Sequence, residues 1–380
     1  MNILFKIKEL TMFKKFTLVI AVLVLTVSLT ACKKTSSKAD FKIGIVTPSL
    51  STSEEEFRAA DALNKKYPGM VKHVILPDNF SKEQETGITQ IASFADDQDI
   101  KAVVISAGNS GILPAIQKVK EKRPEMIFIT TPIWDDPDMM SKYVDLALDT
   151  DWVRRGESIP EKAKKMGAKT FIHYSFPSHI AKEVISKRKD KMKETCAKNG
   201  LNFVEVLTPD PQAGSNRQAM LQFLNEDIPR QVQKYGKDTA IFGTNCPMQD
   251  VIIAKALELK FIMAEQCCPT PLQGFPAAMG LEIKPDESMD FDKINKMISE
   301  KAKAAGMTGR LSTWPVSVSI FLPTFGFEAA KAAVEKRVDL KNIDQVKSLA
   351  KEIAGVNVTF NPMKPGMTNY YLIIIDSIIY

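Results

Sequence analysis

Phe41 to Leu63 reads FKIGIVTPSLSTSEEEFRAADAL, and this stretch decides the class of fold. Lys42 to Thr47 (KIGIVT) is a continuous apolar run of strand length, the pattern of a strand covered on both faces. Ser53 and Glu56 then stand at capping-box spacing, and Phe57, Ala60 and Leu63 fall on one helical face. A buried strand running straight into an amphipathic helix is half of a βαβ unit.

The same alternation extends outward. Val71 to Leu76 is the next strand. Ser81 with Gln84 is placed to cap a helix presenting Ile88, Ile91 and Ala95, and Ala102 to Ser106, Met126 to Thr130 and Val144 to Leu148 continue the sheet. The pattern restarts at Trp152, with Trp152 to Met166 as a helix, Thr170 to His173 as a strand and Ile180 to Lys198 as a helix. Asn202 to Leu207, Ala240 to Gly243 and Phe261 to Ala264 read as further strands, with Ser215 and Gln218 capping the helix between the first two. Arg310 to Trp314, Thr324 to Arg337 and Tyr370 to Ile375 supply a strand, a helix and a last strand. The expected fold class is α/β, with two Rossmann-like lobes of parallel strands.

Leu311 to Val338 (LSTWPVSVSIFLPTFGFEAAKAAVEKRV) resembles the second crossover of the type I periplasmic-binding-protein fold and the helix that follows it. The resemblance covers roughly residues 41–380 and implies a three-crossover hinge. The runs HYSFPSH (His173 to His179), TNCPMQ (Thr244 to Gln249), EQCCPTP (Glu265 to Pro271) and STWP (Ser312 to Pro315) are similar to those of a group of bacterial lipoproteins of uncharacterised function. That resemblance implies an architecture and no particular ligand. The expected first lobe is 41–150 plus about 316–340, the second is 151–315, and 341–380 is a helix and strands returning across the hinge.

Residues 1–31 read as a signal peptide. Lys14 and Lys15 precede an apolar run from Phe16 to Leu29, shorter than the ~20 residues of a spanning helix. Leu29-Thr30-Ala31-Cys32 resembles a lipobox, which implies lipidation of Cys32 and attachment to the outer face of a bacterial membrane. Counted from Met12 the leader has a more usual length than from Met1. Residues 32–40 (KKTSSKAD after the cysteine) read as a flexible tether.

The formal charge of +6 on 380 residues is half leader, because Lys6, Lys8, Lys14 and Lys15 stand there against Glu9. The remaining excess does not argue for nucleic acid. Lys182 to Lys198 holds seven basic residues and reads as the solvated face of a helix. With 44% apolar and 25% charged residues the chain is neither disordered nor a disulfide-stapled miniature.

No HExxH, G-x-S-x-G, Walker A or CxxC pattern occurs, so an enzyme is not the expectation and no cofactor is called for. Gly108-Asn109-Ser110-Gly111 opens a helix, either as an anion cradle or as a turn that needs glycine. Glu54, Glu55 and Glu56 already sit at the positive end of the first helix and would repel an anion there.

Ligands of open α/β sheets bind beyond the strands' carboxyl ends. That rule selects Thr47, Ser51, Asn109, Thr131 and Trp134 in the first lobe. In the second it selects His173, Tyr174, Asn245, Cys246, Glu265 and Gln266, joined by Trp314 on the returning segment. Aromatic planes beside amides and carboxylates suit a small polar ring compound such as a sugar, nucleoside or heterocycle. Trp134 and Trp314 read equally as packing between lobes, and His173 as a hydrogen-bonded strand end. Asp149, Asp151, Arg154 and Arg155 flank the first hinge and read as ion pairs. Cys196 falls on an apolar face, whereas Cys246, Cys267 and Cys268 converge after strands. They fit free thiols, a disulfide from Cys246 to one of the pair, or a metal site completed by His173. The expected protein is a monomeric solute-binding lipoprotein delivering a small molecule to an ABC permease. A membrane-receptor sensor and a metal or thiol enzyme are the alternatives.

Overall fold

The computed structural model describes residues 40–132, 134–211, 217–284 and 287–380. The expected signal peptide, Cys32, the tether up to residue 39 and Ser215 lie outside them. In chain order the strands are β1 (Lys42–Thr47), β2 (Val71–Ile75), β3 (Ile100–Ile105), β4 (Ile127–Thr130), β5 (Leu146–Thr150), β6 (Thr170–Ser175), β7 (Asn202–Leu207), β8 (Thr239–Gly243), β9 (Ser312–Thr313), β10 (Val358–Pro362), β11 (Tyr370–Ile375) and β12 (Ile378–Ile379).

The first lobe is a sheet in the order β10-β11-β5-β4-β3-β1-β2. Its pairs are parallel except β10 with β11. Neighbouring residues of one strand point to opposite faces. Ile43, Ile45, Ala102, Val104 and Ile129 therefore pack in one apolar cluster with Phe321 and Phe325. Val46, Val103, Ile105 and Phe128 pack in another with Ile88, Ile91, Ile116 and Val119.

The helix that carries Phe321 and Phe325 runs Val318–Val334, starting well before the expected Thr324. Pro323 reads as a breaker because it lacks an N–H. Here the helix is buried on nearly every side, and that packing offsets the lost bond.

In the second lobe β7, β6 and β8 form a parallel sheet. Two single bridges, Ala240 with Ile262 and Met263 with Leu311, extend it. The expected strand Phe261 to Ala264 is thus reduced to isolated bridges, and Arg310 to Trp314 to a bridge and the two-residue β9. β12 pairs antiparallel with β9. The chain passes between the sheets three times: from β5 to the helix Arg155–Lys165, from β9 to the helix Val318–Val334, and from β11 to β12.

Three local expectations change. Ser53 bonds the carboxylate of Glu56 directly and makes no side-chain bond to the helix backbone. Ser81 donates to Asn79 Oδ1 at 3.1 Å and Gln84 Nε2 to the Gly111 carbonyl at 3.0 Å, so neither caps the helix Gln84–Ala92. The helix expected from Ile180 to Lys198 is two, Pro177–Ile180 and Glu183–Lys198, separated at Lys182 by extended backbone. Among the described residues no helix is long and apolar enough to cross a membrane.

Candidate ligand cleft and thiol cluster

One carboxylate joins all three crossings. Glu265 Oε1 accepts from Arg155 Nε at 2.8 Å, and Glu265 Oε2 accepts from Trp314 Nε1 at 3.0 Å and from Ser377 Oγ at 2.8 Å. Arg155 follows the first crossing, Trp314 begins the second and Ser377 lies in the third. The Arg155 guanidinium lies 5.2 Å from the ring of Trp152 and 5.6 Å from that of Trp314. It also donates to the carbonyls of Cys267 at 2.7 Å and Gln266 at 2.6 Å. Gln266 is likewise committed, accepting from Thr313 at 2.6 Å and donating to the Thr270 and Gln273 carbonyls. Arg155, Glu265, Gln266 and Trp314 are all buried. The structure makes them the pin of the hinge, which corrects their selection as ligand contacts: every polar group they carry has an internal partner.

Asp149, at the end of β5, has a carboxyl pushed by burial from 3.8 to about 6. The unfolded chain therefore loses this proton first, and stability falls as pH rises between those two values. Asp149→Asn keeps the acceptor for Thr150 N–H, now at 2.6 Å. It should raise stability by about 1–3 kcal/mol at pH 7.5 and by almost nothing at pH 3. Urea unfolding at both pH values measures the difference.

The other selected residues separate into two groups. Thr47, Thr131, His173 and Tyr174 are buried. The hydroxyl of Thr47 meets the Pro48 carbonyl at 2.9 Å and His73 Nε2 at 2.8 Å, and that of Tyr174 donates to Asp227 at 2.8 Å. The His173 ring lies between Phe203 at 6.1 Å and Phe242 at 5.9 Å. Neither of its ring nitrogens has a hydrogen-bond partner, and burial pushes its pKa down to about 3. A neutral ring packed in the sheet is not the metal ligand that one reading allowed.

Ser51 is exposed and bonds Asp78 at 3.1 Å. Asn109 and Asn245 are half-buried. Trp134 is 65% exposed, which excludes it from packing between lobes. The loop from Gly108 does present backbone N–H groups to an anion, but the anion is internal. Gly111, Ile112 and Leu113 donate to the Asp135 carboxylate at 2.6 to 3.0 Å.

Between the lobes lies a cavity of about 730 Å³, within the size range of small-molecule sites. Glu55 and Ser317 to Ser319 line it from the first lobe and Trp152 from the first crossing. Arg217, Cys246, Asp250, Cys268 and Gln273 line it from the second. Ser317 Oγ donates to Glu55 at 2.6 Å, and burial raises the Glu55 carboxyl above its usual value. Of the selected residues only Cys246 lines this cavity. The strand-end rule stops short of the first helical turn, where Glu55 and Asp250 sit, and of the crossover serines, all of which line the cavity.

The three strand-end cysteines do meet. Cys246 Sγ lies 3.4 Å from Cys267 Sγ and 3.5 Å from Cys268 Sγ, with all three sulfurs within 4.8 Å of one another. None is in a disulfide. Hydrogen bonds with Cys267 and Cys268 hold Cys246 well below the usual thiol value and raise its two partners. Cys196 is buried in an apolar cluster that also includes Cys267, and is not one of the three grouped sulfurs.

Lys182 to Lys198 is not wholly a solvated face. Arg188 is 2% exposed and its guanidinium lies 5.4 Å from the Phe242 ring. Its Nε has no hydrogen-bond partner.

Comparison with known proteins places these features in context. The family model described as "Protein of unknown function (DUF3798)" matches residues 41–312. A crystal structure from Clostridium difficile 630, named for a suggested role as a transcriptional regulator, is 40% identical with a TM-score of 0.86. It covers 90% of this chain and 99% of its own. Two uncharacterized Treponema pallidum proteins are similar. One is 33% identical over 185 residues, which is 47% of this chain and 83% of that protein. The other is 27% identical over 219 residues, 58% of this chain and 99% of that protein. A sugar ABC transporter structure from Actinomyces odontolyticus ATCC 17982 is 11% identical, covers 78% of this chain and 84% of its own, and has a TM-score of 0.51, a likeness of fold alone. The fold is that of the type I periplasmic-binding-protein-like solute-binding proteins.

Proposed function

We propose that this chain, which belongs to the DUF3798 family, is an extracytoplasmic solute-binding protein. In this reading Cys32 anchors it to lipid and its lobes close on a small polar ring compound for import through an ABC permease. The observation that carries the proposal is the cavity of about 730 Å³ lined from both lobes across a three-crossing hinge. Closure needs only that the ligand bind the closed state better than the open one. Glu55 and Asp250 face the cavity with Arg217, so donor groups on the ligand have carboxylate acceptors and one acceptor group has a guanidinium. Trp152 offers the aromatic plane.

Isothermal calorimetry against sugars, nucleosides, heterocycles, amino acids and vitamins should find a ligand binding at micromolar concentration or below. Glu55→Ala and Asp250→Ala should each weaken it by about tenfold or more. No binder better than millimolar, or a binder indifferent to both substitutions, rejects the proposal. Incorporation of labelled palmitate into the wild type and not into Cys32→Ala tests the anchor.

A second reading keeps the fold and the cleft, with occupancy signalled to a membrane receptor instead of feeding a permease. Permease and ATPase genes beside this one support import, and a kinase gene supports signalling.

A further inference from the structure

We propose that Cys246, Cys267 and Cys268 form a binding site for one divalent thiophilic metal ion, zinc in the first instance, in the wall of the interlobe cavity. The proposal does not depend on the cavity holding an organic solute.

Geometry is the first support. Three thiolates 2.3 Å from a tetrahedral zinc ion stand about 3.8 Å apart. The sulfurs here are already 3.4 and 3.5 Å apart at Cys246 and all lie within 4.8 Å of one another, so shifts of about an ångström or less bring the set to that spacing. Cys246 and Cys268 both line the cavity. The fourth coordination position therefore opens toward it, the arrangement of zinc sites that keep an exchangeable ligand.

The charge balance agrees with that geometry. A buried guanidinium needs an anion, because an unpaired charge inside a protein is strongly destabilising. Arg188 is buried, its Nε is unpartnered, and among the described residues no carboxylate forms an ion pair with it. Arg155 repels it, and Glu265 and the thiols of Cys267 and Cys268, once ionised, attract it. Glu265 is already neutralised by Arg155. Metal-bound thiolates would supply the remaining anion. A divalent ion with three thiolates has one net negative charge, which Arg188 balances, whereas a monovalent ion would leave two.

A disulfide between Cys246 and a neighbour would remove two of the three sulfurs as anions and leave Arg188 beside neutral groups. Metal binding forms three metal–sulfur bonds and releases to solvent the protons the thiols still hold.

The test uses the mature protein, purified and kept reduced without oxygen, and titrated with zinc against a chromophoric chelator and with cobalt(II) as a spectroscopic probe. One equivalent of zinc and a thiolate-to-cobalt charge-transfer band are expected. Cys246→Ser and Cys268→Ser should each weaken zinc binding by about a hundredfold or more, and Cys196→Ser should leave it intact. Arg188→Gln should weaken it by about tenfold while Arg188→Lys retains most of it. Circular dichroism checks that each variant is folded. The proposal is overturned if the folded, reduced wild type takes up less than about one-tenth of an equivalent, or if Cys246→Ser binds zinc as tightly as the wild type. It is also overturned if protein recovered from the cell surface carries a disulfide among the three cysteines and no metal.

Discussion

Glu265→Ala should be the most destabilising single substitution in the hinge, lowering the free energy of unfolding by about 3–5 kcal/mol. The figure follows from what the carboxylate leaves behind. Arg155 and Glu265 are both buried, 2.8 Å apart. Removing the acid strands a guanidinium, the indole N–H of Trp314 and the hydroxyl of Ser377, which have Glu265 as their carboxylate partner. Deleting one partner of a buried pair costs far more than the pair contributes, since the other charge remains desolvated. Each stranded group lies on a different crossing, so the damage reaches the coupling of the lobes as well as their cores. Urea denaturation should show a lower midpoint, together with earlier proteolysis near Asp376 and Pro315. Glu265→Gln keeps a carbonyl acceptor for Trp314 and Ser377 but loses the charge, and should fall between the two. A loss under about 1 kcal/mol for Glu265→Ala would mean that Arg155 finds another anion and that Glu265 is no pin.

The pin also marks where reading residues in order stops working. Glu265, Gln266 and Trp314 are polar or aromatic, follow strands and stand on the face where ligands bind, so by local pattern they belong with cleft chemistry. Apart from the local bonds of Gln266 to the Thr270 and Gln273 carbonyls, their partners lie 47 to 112 residues away in the chain, and no periodicity reports such distances. Strands such as Lys42–Thr47 were legible because burial on both faces demands an unbroken apolar run. Phe261 to Ala264 carries the same composition and is buried, yet pairs through single bridges only, since burial and ladder pairing are separate requirements. The convergence of Cys246, Cys267 and Cys268 was legible because Cys246 follows β8 and the other two follow the segment bridged to it in parallel, and parallel segments end on the same side. Arg188 was not, because one buried cation among seven basic residues differs from the rest only in what packs over it.

Gly156→Ala should cost about 1–3 kcal/mol although it adds one methyl group to a good helix former. Gly156 lies in the helix Arg155–Lys165, and Arg188 lies in the helix Glu183–Lys198. A Cβ on Gly156 would overlap the backbone oxygen of Arg188 and stand 2.8 Å from Lys191 Cβ. Both obstacles lie on or next to the main chain, and no rotamer change clears them, so the two helices must separate. The gain in helix propensity from glycine to alanine, about 1 kcal/mol, is smaller than the cost of moving a packed helix and works against the net loss. Separation also displaces Arg188 from the Phe242 ring, now 5.4 Å away, and in the proposed metal-bound form from the thiolates it would balance. Gly156→Ala should therefore lower the urea midpoint and weaken zinc binding together, by a few-fold in affinity, without touching a cysteine. Gly167→Ala in the same lobe has open space around its Cβ but a φ of +96°. It should lower stability through backbone strain and leave zinc affinity unchanged, which separates a general loss of stability from a displaced Arg188.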